Sequence, residues 1–352
     1  MPRVTIRDVA KQAGVSIKTV SRVVNNQSEV SPNTREKVQQ VISELDYQPD
    51  TNARSLASGR TNTIGVVIPY DTKYVFSRPF FAEVIRGIAE VLSANSYNLL
   101  LNLAHSKEPY SKLYSQRKVD GLILMSIPMG DPGIKGLDES GAPWVCTCRL
   151  SDTGESNINF VDADFEGGVG LAVDHLISLG HRRIALLTGT ENLVSVKLRK
   201  QGYLKALKKN NMPIIGGYVL AGDFTSESGY ALASQIMRNP SPPSALVCGD
   251  DMMAFGAIKA VTELGYSVPE DISIIGFDDV SLAHFSTPQL TTIRQDTYQK
   301  GCVSAETLLN LIQNTDKGPL KQIILDTSLI IRASTAPAQI RSESPRKEVD
   351  SR

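Results

Sequence analysis

A chain of 352 residues with 41% apolar side chains is long enough for two or three domains with real cores. No run approaches the roughly 18 unbroken apolar residues of a membrane span, and residues 1–8 lack the apolar stretch of a signal peptide. The 37 basic and 37 acidic side chains cancel, yet residues 1–60 hold nine basic against six acidic, which sets a +3 head on a −3 body. Four cysteines (Cys146, Cys148, Cys248, Cys302) are too few for a disulfide scaffold and match no zinc spacing, so no metal or cofactor is expected. A reducing cytoplasm is the expected location.

The head reads as three short helices. Thr5 offers an N-cap hydroxyl with Asp8 three residues on, and Ile6, Val9, Ala10 and Ala13 follow on one face. Gly14 stops this helix and Ser16 caps a second, whose Val20, Val23 and Val24 point inward. Ser31-Pro32 opens a third, with Val38, Val41, Ile42 and Leu45 as its buried stripe. Two short helices about a glycine turn make a helix-turn-helix. The outer face of its second helix carries Ile17, Lys18, Thr19, Ser21 and Arg22. An arginine fork there can hold guanine O6 and N7, and Ser and Thr suit phosphate oxygens; taken singly, the same residues also fit an ordinary solvated face. Residues 47–50 form a proline turn, and residues 52–59 a short helix-capable linker closed by Gly59.

From Thr63 onward, short apolar runs alternate with amphipathic helices. Strands are predicted at 64–68, 98–103, 121–125, 144–147, 184–187, 245–248, 272–277 and 322–325. Helices are predicted at 80–93, 165–179, 196–209, 226–237, 252–264 and 298–313. Continuous Val/Ile/Leu runs belong to strands covered on both faces, which means parallel α/β architecture, and about 275 residues suit two such sheets. The tail beyond Arg332 has no leucine and two prolines, so no coiled-coil seam can form and disorder is expected.

The string from Val4 to Asn25 closely resembles the head of the LacI/GalR repressor family. The likeness continues through Ile64-Gly65-Val66-Val67-Ile68-Pro69, Leu179-Gly180-His181-Arg182-Arg183, Val268-Pro269-Glu270-Asp271 and Leu290-Thr291-Thr292-Ile293 to about residue 332. The resemblance implies an α/β fold: an N-terminal three-helix helix-turn-helix domain (1–49), a hinge helix (50–60), then a periplasmic-binding-protein-like core of two doubly wound parallel-sheet lobes (61–332). It puts the N-lobe at about 61–161 and 293–325 and the C-lobe at 162–290 and 327–332. Lobe crossings are expected near 161–164, 290–294 and 325–328, with a disordered tail at 333–352. It further implies a DNA-contacting set of Thr5, Ser16, Ile17, Lys18, Thr19, Ser21, Arg22, Asn25 and Ser31, with Leu56 as a wedge in the minor groove.

Open α/β sheets bind ligands beyond the carboxyl ends of their strands. Asp250, Asp278 and Phe224 sit at or just past such ends, Phe81 opens the first body helix, and the resemblance implies an effector-binding arginine at Arg199. Carboxylates, a guanidinium and aromatic rings together suit a polyol; strand-end caps and core packing are the other readings of the aspartates and phenylalanines. The implied function is a homodimeric transcription regulator, most simply a repressor, acting on a pseudo-palindromic operator in the bacterial nucleoid under control of a small molecule such as a sugar. An enzyme on the same scaffold is disfavoured because no Walker A, His-Glu-x-x-His or Gly-x-Ser-x-Gly sequence is present. A secreted solute-binding protein shares the body but not the helix-turn-helix.

Overall fold

A computed structural model of the chain describes residues 4–24, 28–48, 59–103, 108–151, 157–313 and 318–339, in two compact units, Met1–Asn62 and Thr63–Arg352. The head is built from α1 (Ile6–Ala13), α2 (Ile17–Val24) and α3 (Pro32–Glu44). Thr5 and Asp8 form the capping box, the Thr5 N–H donating to Asp8 Oδ2 at 2.9 Å. Gly14 takes φ 65 at the end of α1, and the Val15 N–H returns to the Ala10 carbonyl at 3.1 Å. Val9, Ala13, Val20 and Val38 are fully buried and are joined by Val23, Val41 and Tyr47.

The N-lobe starts with β1 (Thr63–Ile68), α4 (Thr72–Phe76), α5 (Pro79–Ala94) and β2 (Asn98–Leu103). It continues through α6 (Ser111–Ser115), β3 (Gly121–Leu124), β4 (Trp144–Cys146) and β5 (Phe160–Ala163). The chain then enters the C-lobe with α7 (Phe165–Ser178), β6 (Ile184–Thr188), α8 (Val194–Lys209), β7 (Val219–Ala221), α9 (Ser226–Ile236) and β8 (Ala245–Cys248). There follow α10 (Asp251–Glu263), β9 (Ser273–Asp278), α11 (Ser281–Phe285) and β10 (Thr291–Gln295). α12 (Thr297–Ile312) and β11 (Gln322–Leu325) return to the N-lobe, and β12 (Thr327–Ile330) to the C-lobe.

Each lobe is a six-stranded sheet, ordered β11-β5-β4-β3-β1-β2 in the N-lobe and β12-β10-β9-β8-β6-β7 in the C-lobe. All pairings are parallel except β10 with β12. The three crossings fall after β5, after β10 and at Asp326. The second lies just beyond the expected boundary at 290–294, because Thr291–Arg294 of β10 pair with β9 and Gln295 with β12, all in the C-lobe sheet. Helices pass close where glycines face each other. A Cβ on Gly87 would lie 2.2 Å from the Tyr298 carbonyl oxygen, and one on Gly256 would lie 1.9 Å from that of Ser226.

The expectation of a disordered tail from residue 333 is corrected for residues 333–339. Ser334 is fully buried; its Oγ donates to the Ile274 carbonyl at 2.6 Å and accepts from the Thr291 N–H at 2.8 Å. The Ala338 N–H donates to the Leu179 carbonyl at 2.8 Å. His181 is buried: its Nε2 lies 3.1 Å from the Ala336 carbonyl oxygen and its Nδ1 3.0 Å from Ser244 Oγ. Backbone pairing and small hydroxyls hold this segment, so an apolar count does not register it. Residues 340–352 lie outside the described residues.

Candidate functional site

In the head, the face of α2 begins with Ser16, whose Oγ accepts from the Thr19 N–H at 3.1 Å and lies 2.9 Å from Thr19 Oγ1. Ile17 is 46% exposed, an apolar residue left outward at a helix start, with Lys18 exposed beside it. Ser21 and Arg22 are half-buried along the same helix. Arg22 is ion-paired to Glu29 at 2.5 Å, a partner that helical periodicity could not supply because it lies beyond the end of α2. Thr5 is spent in its capping box, and Ser31 caps α3 by accepting from the Thr34 N–H at 3.4 Å. Asn25 and Leu56 lie outside the described residues, as does most of the expected hinge.

In the body, the lobes touch across a cleft. Tyr74 Oη donates to the Asp223 carbonyl at 3.2 Å, the Met129 N–H to the Asn192 carbonyl at 2.8 Å, and Arg78 Nη2 to Asp250 Oδ2 at 3.1 Å. Beside these contacts is a partly open free volume of about 50 Å³, room for a few waters. Arg78, Phe80, Thr147, Cys148, Arg149, Asp162, Phe165, Arg199, Phe224, Asp278, Gln295 and Lys300 are among the residues that line it.

Three of the five expected effector residues are brought together there. Arg199, on α8, lies between the rings of Phe165 and Phe277, its guanidinium carbon 4.2 and 4.4 Å from their centroids. It donates to the Ser195 carbonyl at 3.3 Å, while its buried Nε has no partner among the described residues. Burial holds this guanidinium down to about 10. Asp278 ends β9 with φ 111 and accepts from Gln295 Nε2. Burial, aided by the nearby Asp250 charge, pushes its carboxyl up to about 6. Phe224 takes φ 66 and sets its ring in a slot left by Gly189, where a Cβ would come within 1.9 Å of it.

The other two are corrected. Phe81 is 1% exposed and belongs to the N-lobe core; Phe80 lines the cleft instead, since neighbours on a helix point about 100° apart. Asp250 does not line the cavity. It caps α10, accepting from the Met253 N–H at 2.8 Å, and serves as counter-ion to Arg78; burial raises its carboxyl. Asp251, beside it, accepts from the Val280 N–H and from Thr292, a wholly structural post.

Sequence reasoning missed Arg78, Arg149, Asp162 and Lys300. Lys300 is 1% exposed and pairs with Asp162 at 3.2 Å; Arg149 Nε meets the other oxygen of Asp162 at 3.0 Å. An aspartate inside the apolar run 160–163 was the one available signal. Among the described residues no cluster of three or more His, Cys, Asp or Glu can hold a metal, and no helix is long and apolar enough to cross a membrane.

Residues 5–50 match the family of bacterial regulatory proteins, lacI family, and residues 173–335 a periplasmic binding protein-like domain. The HTH-type transcriptional regulator CelR of Thermobifida fusca is 34% identical over 335 residues, 94% of this chain and 98% of that protein. A solved CelR–cellobiose complex shares 34% identity and a TM-score of 0.74, covering 94% of this chain and 100% of the other. The lac repressor dimer bound to operator and the anti-inducer ONPF shares 32% identity and a TM-score of 0.83, covering 95% of this chain and 99% of the other. With a capped helix-turn-helix ahead of a two-lobed core, and relatives of this likeness along nearly its full length, the chain belongs to the LacI family of DNA-binding transcriptional regulators.

Proposed function

We propose that this regulator is a homodimeric repressor whose operator affinity is set by a small polyol held between the lobes. The observation that carries the reading is the narrowness of the cleft. Ligand pockets commonly span about 300–1,000 Å³, whereas this one holds about 50 Å³ beside the Arg78–Asp250 and Tyr74–Asp223 contacts. A sugar needs more room than that, so binding one widens the cleft and occupied and empty lobes differ in arrangement. A ligand that distinguishes two arrangements shifts the balance between them, and DNA affinity follows if the arrangements differ in it. The cellobiose complex of CelR supports a sugar, and the operator-bound lac repressor dimer supports two heads on a two-fold site. No catalytic motif competes with this reading.

On this reading Ile17, Lys18, Ser21 and Arg22 meet DNA, with Arg22 exchanging Glu29 for a base edge. The test begins with selection of a binding duplex from a random library. Arg22→Ala should then lower affinity for the selected duplex by about 1–3 kcal/mol, because a bidentate base contact is lost, while random duplex loses far less. Equal losses on both duplexes, or a selected site without two-fold symmetry, would overturn it.

A further inference from the structure

The charges in the cleft do not cancel. Four cations (Arg78, Arg149, Arg199 and Lys300) line it with two carboxylates, Asp162 and Asp278, and a third, Asp250, backs Arg78 from outside the lining. Six of the seven are less than a tenth exposed; Arg149 is the exception, at 19% of its side chain. Arg78 is matched by Asp250, and Arg199 feels Asp278 as its strongest source of negative potential. Arg149 and Lys300 share the single carboxylate of Asp162. One positive charge is left over in a place where uncompensated charge is costly.

The hydrogen-bond count leans the same way. Asp162 is saturated: Oδ1 accepts from Lys300 and the Ala163 N–H, and Oδ2 from the Arg149 N–H and Nε. Asp250 is spent on the Met253 N–H and Arg78. On the described residues that line the cavity, the buried side-chain atoms left without a partner are instead donors or hydroxyls: Arg78 Nε, Arg199 Nε and Thr147 Oγ1. A neutral polyol brings hydroxyl protons that need acceptors; beside Lys300 and Arg149 the acceptor Asp162 is fully taken, while Asp278 across the cavity accepts from Gln295 alone. A carboxylate brings two oxygens that only accept, and one negative charge.

We infer that the cleft takes a sugar acid, a polyol carrying one carboxylate, in preference to the neutral sugar of the same skeleton. This inference rests on the cleft being the effector site. In it the carboxylate lies among Lys300, Arg199 and Thr147, and the single negative charge completes the count that Asp162 leaves short.

The test is calorimetric titration of the full chain at fixed ionic strength with D-glucuronate, D-galacturonate and D-gluconate against D-glucose and D-galactose, with glucose 6-phosphate as a further arm. At least one acid should bind ten or more times tighter than its neutral counterpart, and Lys300→Met should cut that affinity at least tenfold without lowering the melting temperature of the ligand-free protein. Should Lys300→Met fail to fold, Arg149→Gln, which removes the same excess charge, replaces it with the same expectation. Neutral sugars binding as tightly as their acids, no acid binding at 10 mM, or the phosphate binding alone would each overturn the inference. Parallel titration of the selected duplex separates the two readings. An acid that binds but leaves DNA affinity unchanged defeats effector control and spares the anion inference; a neutral sugar that alone shifts DNA affinity does the reverse.

Discussion

Replacing Arg199 by methionine separates ligand recognition from folding. The guanidinium is fully buried, and being held down to about 10 against an ordinary 12.5 means that its charged form is disfavoured by roughly 3 kcal/mol. That penalty stands at every pH below about 10 and is relieved only above it, so a measurement at pH 7.5 captures all of it. Stacking between Phe165 and Phe277 returns about 2–3 kcal/mol across the two desolvated rings. Methionine keeps much of that volume and makes sulfur–aromatic contacts of about 0.3–1.5 kcal/mol each. The arginine terms nearly cancel, so Arg199→Met should leave unfolding free energy unchanged or raise it by up to about 3 kcal/mol. Ligand binding has no such compensation. Loss of one charge-assisted donor pair costs about 2 kcal/mol, or roughly 30-fold in affinity. Urea unfolding together with operator titration in the presence and absence of ligand reads both quantities. Destabilisation beyond about 3 kcal/mol, or a ligand response within threefold of the wild type, would refute the reasoning.

Removing residues 333–352 takes away the buried Ser334 and the Ala336 and Ala338 pairings and should lower stability by about 2–4 kcal/mol, read by urea unfolding. Gly256→Ala drives a Cβ into the Ser226 carbonyl on the facing helix and should cost about 2–3 kcal/mol, several degrees in a thermal melt. The Asp278 carboxyl, raised to about 6 from 3.8, contributes stability that is fully present below pH 3.8 and lost as pH rises through 6. Asp278→Asn, which removes that titration, should therefore gain on the wild type between pH 4 and 7, by about 1–3 kcal/mol at neutral pH.

What the residue pattern discloses depends on whether an interaction is local. The capping box at Thr5 and Asp8, the left-handed Gly14 and the valine stripe of the head are all written within a few positions of one another, and the structure places each of them. Strands covered on both faces announce themselves as apolar runs, so β1, β3 and β8 were legible. Four strands were not. β5 carries Asp162 in its middle, β7 is three residues long, and β10 and β12 are built on threonine, serine and polar partners rather than on an unbroken apolar run. The same limit hid the tail, whose anchors are hydroxyls and backbone groups.

The cleft fails to show in the sequence for a stronger reason. Its ion pairs join residues far apart in the chain: Arg78 and Asp250 are separated by 172 positions, Lys300 and Asp162 by 138. Both separations follow from a chain that crosses between lobes three times, bringing β5, β9, β10 and the start of α12 to one place. Lys300 sits one turn into an amphipathic helix and, read locally, is a surface lysine; Asp162, read locally, is a flaw in a strand. Only the meeting of the two turns both into cleft chemistry, and only the addition of Arg149 to the same carboxylate leaves a charge over. Carboxylates at strand ends are read one segment at a time, so they suggest a polyol. The balance of charge is a property of the assembled cleft, and it points to an acid.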